Sequence, residues 1–298
     1  MAKSGIVILY KDGGMTSHTA TARLRRLLGA SKTGHTGTLD PLAEGVLPIL
    51  VERGVKASEY VTSEDKHYRA TLLLGITTDT EDITGEIITK CDTLPTEDEV
   101  VKAVANMVGD SYQTPPMYSA IKVGGKKLYD LAREGKTVER EARPITVYSI
   151  GCKKISDSEY SLDVHCSKGT YIRTLCADIG KALGCGGVMK TLTRTECAGY
   201  TLADTHTLAE IEAMTEDEKN SIIRPVEELF SSCKKITLPP FFARLARCGV
   251  EIYLKKIHVT AELFERVALY DERGFFALGE VRRFDEGDAI KPIKQFDI

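Results

Sequence analysis

The feature that most limits the fold of this sequence is the length of its apolar runs. "GIVILY" (5–10) and "VLPILV" (46–51) are strand-length, and the first is closed by the turn signal "KDGG". Short runs bounded in this way suit buried strands rather than long helices. Between them, Thr16 or Ser17 caps a helix through Leu28, with Gly29 as its stop. Ala20, Leu24, Leu27 and Leu28 form the apolar side of that helix, and Arg23 and Arg26 lie on another face. Further along, "KHYRATLLLG" (66–75) and the "IIT" after "DITGE" read as a hairpin. Thr96 and Glu99 form a capping box for a helix through Val108 to Gly109. Residues 114–135 run from a strand through a Gly-Gly turn into a helix, "YSLDVHCS" alternates as a half-buried strand, and a helix follows from about Tyr171 to Leu183. Strands and helices mix without regular βαβ alternation, so the fold class is α+β.

From Ile236 the texture changes to short strands with turn signals such as "DERG". The sequence therefore predicts two units, 1–235 and a small all-β domain at 236–298, tethered after an acidic helical segment. A chain of 298 residues, 42% hydrophobic, has enough material for both. It has no apolar run of about eighteen residues, so no membrane helix is expected. The N-terminal apolar run is also too short for a signal-peptide core, and a cytoplasmic location is expected. The eight cysteines (91, 152, 166, 176, 185, 197, 233 and 248) contain no CxxC pair. They read as small buried hydrophobes rather than a metal site or a disulfide framework.

The net charge of −3 hides a division. Residues 204–230 carry eight acids against Lys219 and Arg224, whereas 120–155 carry nine Lys/Arg against Asp130, Glu134, Glu139 and Glu141. A basic face fit for phosphates can therefore exist on an acidic protein, although an ordinary solvated surface explains the same counts.

One polar loop, "KTGHTGTLDP" (32–41), carries a single acid, Asp40, with no second acid or metal-ligand cluster beside it in sequence. Gly34 and Gly37 are not followed by Gly-Lys-Ser/Thr, which excludes a P-loop. Asp40 can be a helix N-cap, since Pro41 is a favoured first helical residue. It can also be a nucleophile or general base, provided that a cationic neighbour keeps it ionised. Glu44, four residues on, is not tied by sequence to the same cavity.

The loop segment "GHTGTLDPLAEGVLPI" resembles the motif of the TruB family, the bacterial tRNA pseudouridine-55 synthases. The resemblance extends through "DKHYRATLLLG", "PPMYSAIKVGGKKLYDLAREG", "REARPITVY", "CSKGTYIRTLCADIGKALGCGG" and "TLTRT", in the family's order. It implies a pseudouridine synthase catalytic domain, with a mixed, largely antiparallel sheet and flanking helices, followed by a PUA-like RNA-binding domain. It also implies a reaction, without cofactor or metal, in which a uridine in the T-loop of tRNA is flipped out and isomerised to pseudouridine. Asp40 falls on the catalytic aspartate, Arg173 on the arginine that pairs with it, and Tyr68 on the tyrosine that stacks on the target base. Tyr171 and Leu192 match positions lining the uridine pocket, His35 a histidine that supports the rearranged RNA loop, and Lys11 a lysine of the first motif. Read from the residues alone, Arg173 can instead meet a surface phosphate, and Tyr68, Tyr171 and Leu192 can simply pack. His35 can likewise be a turn residue, and Lys11 a solvated charge. Asp12 and Thr193 depart from the family pattern, standing where proline and arginine are common.

Three chemistries start from an ionised Asp40: attack on the ribose C1′, removal of a C2′ proton, and addition to the uracil ring. A rival class is a tRNA-folding chaperone that uses the same cleft. It is disfavoured because an ionised aspartate facing RNA repels it. The catalytic subunit of a guide-RNA particle is a third reading, but this chain lacks the long basic tails of such proteins. The tRNA T-arm is the expected partner, with no obligate protein partner and a monomeric state.

Overall fold

The computed structural model describes residues 3–61, 65–119, 121–136 and 138–296. The main sheet has ten strands. Its principal members are β1 (Gly5–Lys11), β2 (Thr33–His35), β3 (Glu44–Val51), β4 (Lys66–Leu74), β5 (Gly109–Gln113), β6 (Arg143–Lys154), β7 (Glu159–Cys166), β8 (Gly187–Cys197) and β9 (His206–Thr207). Their order is β9-β1-β3-β8-β4-β7-β6-β5, with β2 on β3 and Tyr200–Thr201 on β8. Pairing is antiparallel except for β1 with β9 and β3 with β8.

The two unbroken apolar runs lie at one end of this sheet because both of its faces are covered there. Val7 and Leu9 of β1 and Leu47, Ile49 and Val51 of β3 share a core cluster with helix α1 (Ser17–Leu27) and with Leu208 and Ile211 of the helix Leu208–Ala213. Helices α2 (Glu97–Ala105) and α3 (Ile172–Ala182) join the same cluster further along the sheet, against β6 and β8. Ile6, Ile8, Val46 and Leu50 face the other way, into a second cluster with Val226 and Phe230. Strand β4 instead alternates buried residues with half-buried ones, Arg69 alone being exposed. Helix α1 is capped by Thr16, whose hydroxyl accepts from Thr19 N at 3.0 Å. Helix α3 lies so close to β8 that a Cβ on Gly180 would come within 2.1 Å of Gly187 N.

Residues 234–295 form a separate five-stranded sheet, but the two units are not merely tethered. Ala268, Phe275, Leu278 and Phe296 complete the second cluster of the main sheet, with Phe230 meeting Phe275 and Phe296 at ring distances of 5.7 and 5.5 Å. This unit is β-rich rather than all-β. Pro240–Arg247, expected as strand, is a helix that begins on Pro240 and buries Ala243 and Ala246.

Two other expectations are corrected locally. The hairpin pairs Ile76–Thr78 with Ile87–Lys90, whereas 66–74 belongs to the main sheet. Helix α2 stops at Ala105, one turn short of Gly109, where positive φ starts β5. The eight cysteines are all free; Cys166, Cys176, Cys185 and Cys197 are buried. Among the described residues, no helix is long and apolar enough to cross a membrane.

Candidate active site

No helix starts at Pro41. The peptide after Asp40 turns instead, with Ala43 N donating to the Asp40 carbonyl at 3.1 Å, which removes the helix-cap reading. The loop between β2 and β3 is pinned along its length. The Ser17 hydroxyl, at the start of α1, donates to the Leu39 carbonyl at 3.0 Å and accepts from Leu39 N at 2.8 Å. Gly14 N donates to the Pro41 carbonyl at 2.8 Å. Lys11, fully buried at the end of β1, directs its ammonium to the carbonyls of Asp12, Pro41 and Ala43 at 3.0, 3.3 and 2.5 Å. It is not a solvated charge: burial lowers its pKa to about 8, against the pull of Asp40 and Asp12.

Arg173 approaches Asp40 from the first turn of α3. A buried cation there is doubly disfavoured, by desolvation and by the helix dipole, so it needs compensation. The guanidinium is 3% exposed, and its Nε lies 2.8 Å from Asp40 Oδ2. This is a close ion pair, although the carboxylate oxygen sits off the N–H direction. Nη1 donates to the Thr80 carbonyl at 3.1 Å and Nη2 to the Tyr118 carbonyl at 2.7 Å.

A second carboxylate shares the cation. Asp82 Oδ2 is 3.9 Å from Arg173 Nε, while its Oδ1 accepts from Thr80 Oγ1 and Thr84 N at 2.8 and 2.9 Å. Asp40 is therefore not alone, as its neighbours in sequence imply, and its companion is not Glu44. Glu44 accepts from Thr193 Oγ1 at 3.1 Å on the β3–β8 seam. Burial raises the Asp40 pKa, with Arg173 the chief opposing influence and Asp82 adding to the rise. Asp40 is thus a more basic carboxylate than one on an open surface.

Tyr171 precedes Arg173 at the head of α3, clamped by Gln113. Its N–H donates to Gln113 Oε1 at 2.7 Å, and Gln113 Nε2 returns a bond to its carbonyl at 3.0 Å. Burial raises the Tyr171 pKa, and Asp40 and Arg173 both lie within its electrostatic reach. Tyr68 and Leu192 are 8% and 7% exposed on neighbouring strands. Burial pushes the Tyr68 hydroxyl up to about 12, opposed by the nearby guanidinium of Arg194. His35 closes β2 with an unpartnered, buried Nδ1, and its pKa is lowered by burial and by Arg194.

The structure thus gathers Asp40, Arg173, Tyr171 and Lys11 in one neighbourhood and places Tyr68 and His35 around Arg194 in an adjoining one. Asp82 and Arg194 escape a reading of the sequence. The first sits in a segment that reads simply as a turn. The second shares a face of β8 with Leu192, and a charge at a core-facing position was the available signal. Among the described residues, no group of three or more His, Cys, Asp or Glu side chains is arranged to hold a metal ion.

The fold extends over nearly the whole length of chains in solved structures. The chain matches one in the "Crystal Structure of a Cbf5-Nop10-Gar1 Complex" with a TM-score of 0.74 at 25% identity, covering 98% of this chain and 84% of that one. Another match, at 23% identity and a TM-score of 0.73, is to a chain in the "Structure of H/ACA RNP bound to a substrate RNA containing 2'-deoxyuridine", and at that identity it speaks for the fold alone. Residues 25–172 match the family described as "TruB family pseudouridylate synthase (N terminal domain)", and 173–231 match the "tRNA pseudouridylate synthase B C-terminal domain". The proteins named tRNA pseudouridine synthase B of Alkaliphilus oremlandii and Clostridium perfringens (strain 13 / Type A) are 42% and 40% identical to this chain. These matches cover 95% and 97% of this chain, and 94% and 98% of the relatives. The chain belongs to the TruB family of pseudouridylate synthases. The junction between the two matched regions falls inside α3, so it marks no structural boundary.

Proposed function

We infer that this protein isomerises uridine to pseudouridine in tRNA, acting on position 55 of the T-loop. The observation that carries the reading is the Asp40–Arg173 pair at 2.8 Å, set in a chain that belongs to this family over most of its length. Substrate and product contain the same atoms, so the reaction needs no redox or group-transfer partner. A T-loop uridine reaches a protein carboxylate only when flipped, at a cost of about a few kcal/mol. Stacking on Tyr68 and contacts to the phosphates offset that cost. Asp40 then attacks the nucleotide or takes a proton from it, held in place by Arg173. Tyr171 and Leu192 line the pocket, and His35 supports the displaced RNA loop. Lys11 acts by shaping the Asp40 loop, because its ammonium is engaged by carbonyls.

Phosphate contacts fall to exposed cations. Arg23, Arg26, Lys32, Arg143 and Lys153 are exposed and form no ion pair among the described residues. The side chains of Lys122, Lys127 and Arg133 lie outside the described residues. Residues 1–235 serve as the catalytic unit and 236–298 as a PUA-like RNA-binding unit. The enzyme works in the cytoplasm as a monomer.

The test is to incubate the protein with an unmodified tRNA transcript and map pseudouridine by reverse transcription after carbodiimide labelling. A stop at the T-loop uridine, lost in a transcript carrying cytidine there, is expected. Tight tRNA binding with no pseudouridine anywhere overturns the reading in favour of a chaperone.

A further inference from the structure

Arg194 is 1% exposed and is among the largest fully buried side chains of the described residues. Among the described residues, no carboxylate forms an ion pair with it. A guanidinium without a counter-ion is costly to bury, and what it contacts indicates what the position is for. Its Nε donates to the Val46 carbonyl at 2.7 Å, and its Nη2 to the Gly37 carbonyl at 3.2 Å. Those two carbonyls stand on either side of Asp40, one before it in the loop and one after it on β3. The backbone of Arg194 is fitted to the same spot. It pairs with Gly45 on one side and Tyr68 on the other, and a Cβ on Gly45 would come within 2.3 Å of the Arg194 carbonyl. The side chain therefore bridges both ends of the segment that carries Asp40, and its charge lies beside the Tyr68 hydroxyl.

We propose that Arg194 is a positioning residue for the isomerisation, holding the 37–46 segment closed at its base so that Asp40 and Tyr68 keep a fixed relation. The proposal rests on the functional reading above. It differs from a general structural role in what it spares: the exposed cations assigned to the phosphates lie elsewhere, and what is at stake is the placement of Asp40 relative to Tyr68. Displacing a reacting group by about 1 Å is enough to lower a rate about 10²-fold.

The experiment measures single-turnover pseudouridine formation and tRNA affinity for the wild type, Arg194→Lys and Arg194→Gln. A lysine keeps the charge but cannot span both carbonyls with a planar fork. The expected rate constant falls about tenfold for Arg194→Lys and about 10²-fold for Arg194→Gln, with Kd for tRNA within about threefold of wild type for both. Should Arg194→Gln fail to fold, Arg194→Lys alone decides. A wild-type rate in Arg194→Lys overturns the proposal, as does a loss of rate matched by an equal loss of affinity. If the wild type itself forms no pseudouridine, it is the functional reading that fails, and the control separates the two.

Discussion

Replacing Arg173 with methionine removes the guanidinium while keeping much of its apolar volume. Two carboxylates and two carbonyls then lose the cation they converge on: Asp40 at 2.8 Å, Asp82 at 3.9 Å, and the Thr80 and Tyr118 carbonyls at 3.1 and 2.7 Å. Breaking a buried ion pair costs about 3–5 kcal/mol. Asp40 keeps 32% of its side chain in solvent, which places the loss near the lower end, at about 3 kcal/mol. Expressed in the transition state, that is about a 10²-fold fall in rate. The pH dependence is the sharper signature. Arg173 is the main influence holding the Asp40 proton off, against burial and Asp82, so its removal raises the Asp40 pKa further. The ionised fraction then falls most at low pH and recovers as pH rises. Single-turnover rates between about pH 5.5 and 8.5 should show a deficit that is larger at the acid end. A deficit that stays constant across that range, or a rate within threefold of wild type throughout, refutes the claim that Arg173 sets the charge state of Asp40.

Other substitutions test separate links. Lys11→Met should slow turnover by loosening residues 41–43, with little change in tRNA affinity. The Lys11 pKa is about 8 in the fold, below its ordinary 10.5, so the folded chain binds fewer protons than the unfolded chain between those values. Stability from this group therefore rises as pH increases through that window, and the melting-temperature advantage of wild type over Lys11→Met should widen there; a constant difference contradicts the burial argument. Tyr68→Phe keeps the ring but removes a hydroxyl that stays neutral at physiological pH, and single-turnover measurement should show a rate about 10²-fold lower if that hydroxyl moves a proton. Equal rates would confine Tyr68 to stacking. Phe230→Ala hollows the aromatic cluster shared by the two sheets and should destabilise by about 3–5 kcal/mol. Calorimetry should still record one transition; two would mean that the C-terminal unit folds independently.

The parts of the fold that could be read in the sequence were those set by local chemistry. The capping box at Thr96 and Glu99, the Thr16 cap and the two strand-length apolar runs all needed only their own neighbours. What covers the second face of β1 and β3 was not readable, because Phe275 and Phe296 lie more than two hundred residues away. The helix Pro240–Arg247 was hidden by its aromatic residues, which favour strands, although Pro240 at its start and Arg244 and Arg247 in its last turn were helix signals. In the site, Asp40 and Arg173 could be paired only through the family resemblance, since no periodicity links residues so far apart. Asp82 is hidden within the turn signal of "DITGE", because its carboxylate also accepts from the backbone N–H of Thr84 as a turn aspartate does.

The most direct test of the account compares wild type with Asp40→Asn for single-turnover conversion of an unmodified tRNA transcript, with tRNA affinity measured alongside. Pseudouridine is expected from wild type alone, with both proteins binding the tRNA. Pseudouridine formed by Asp40→Asn at the wild-type rate would contradict it.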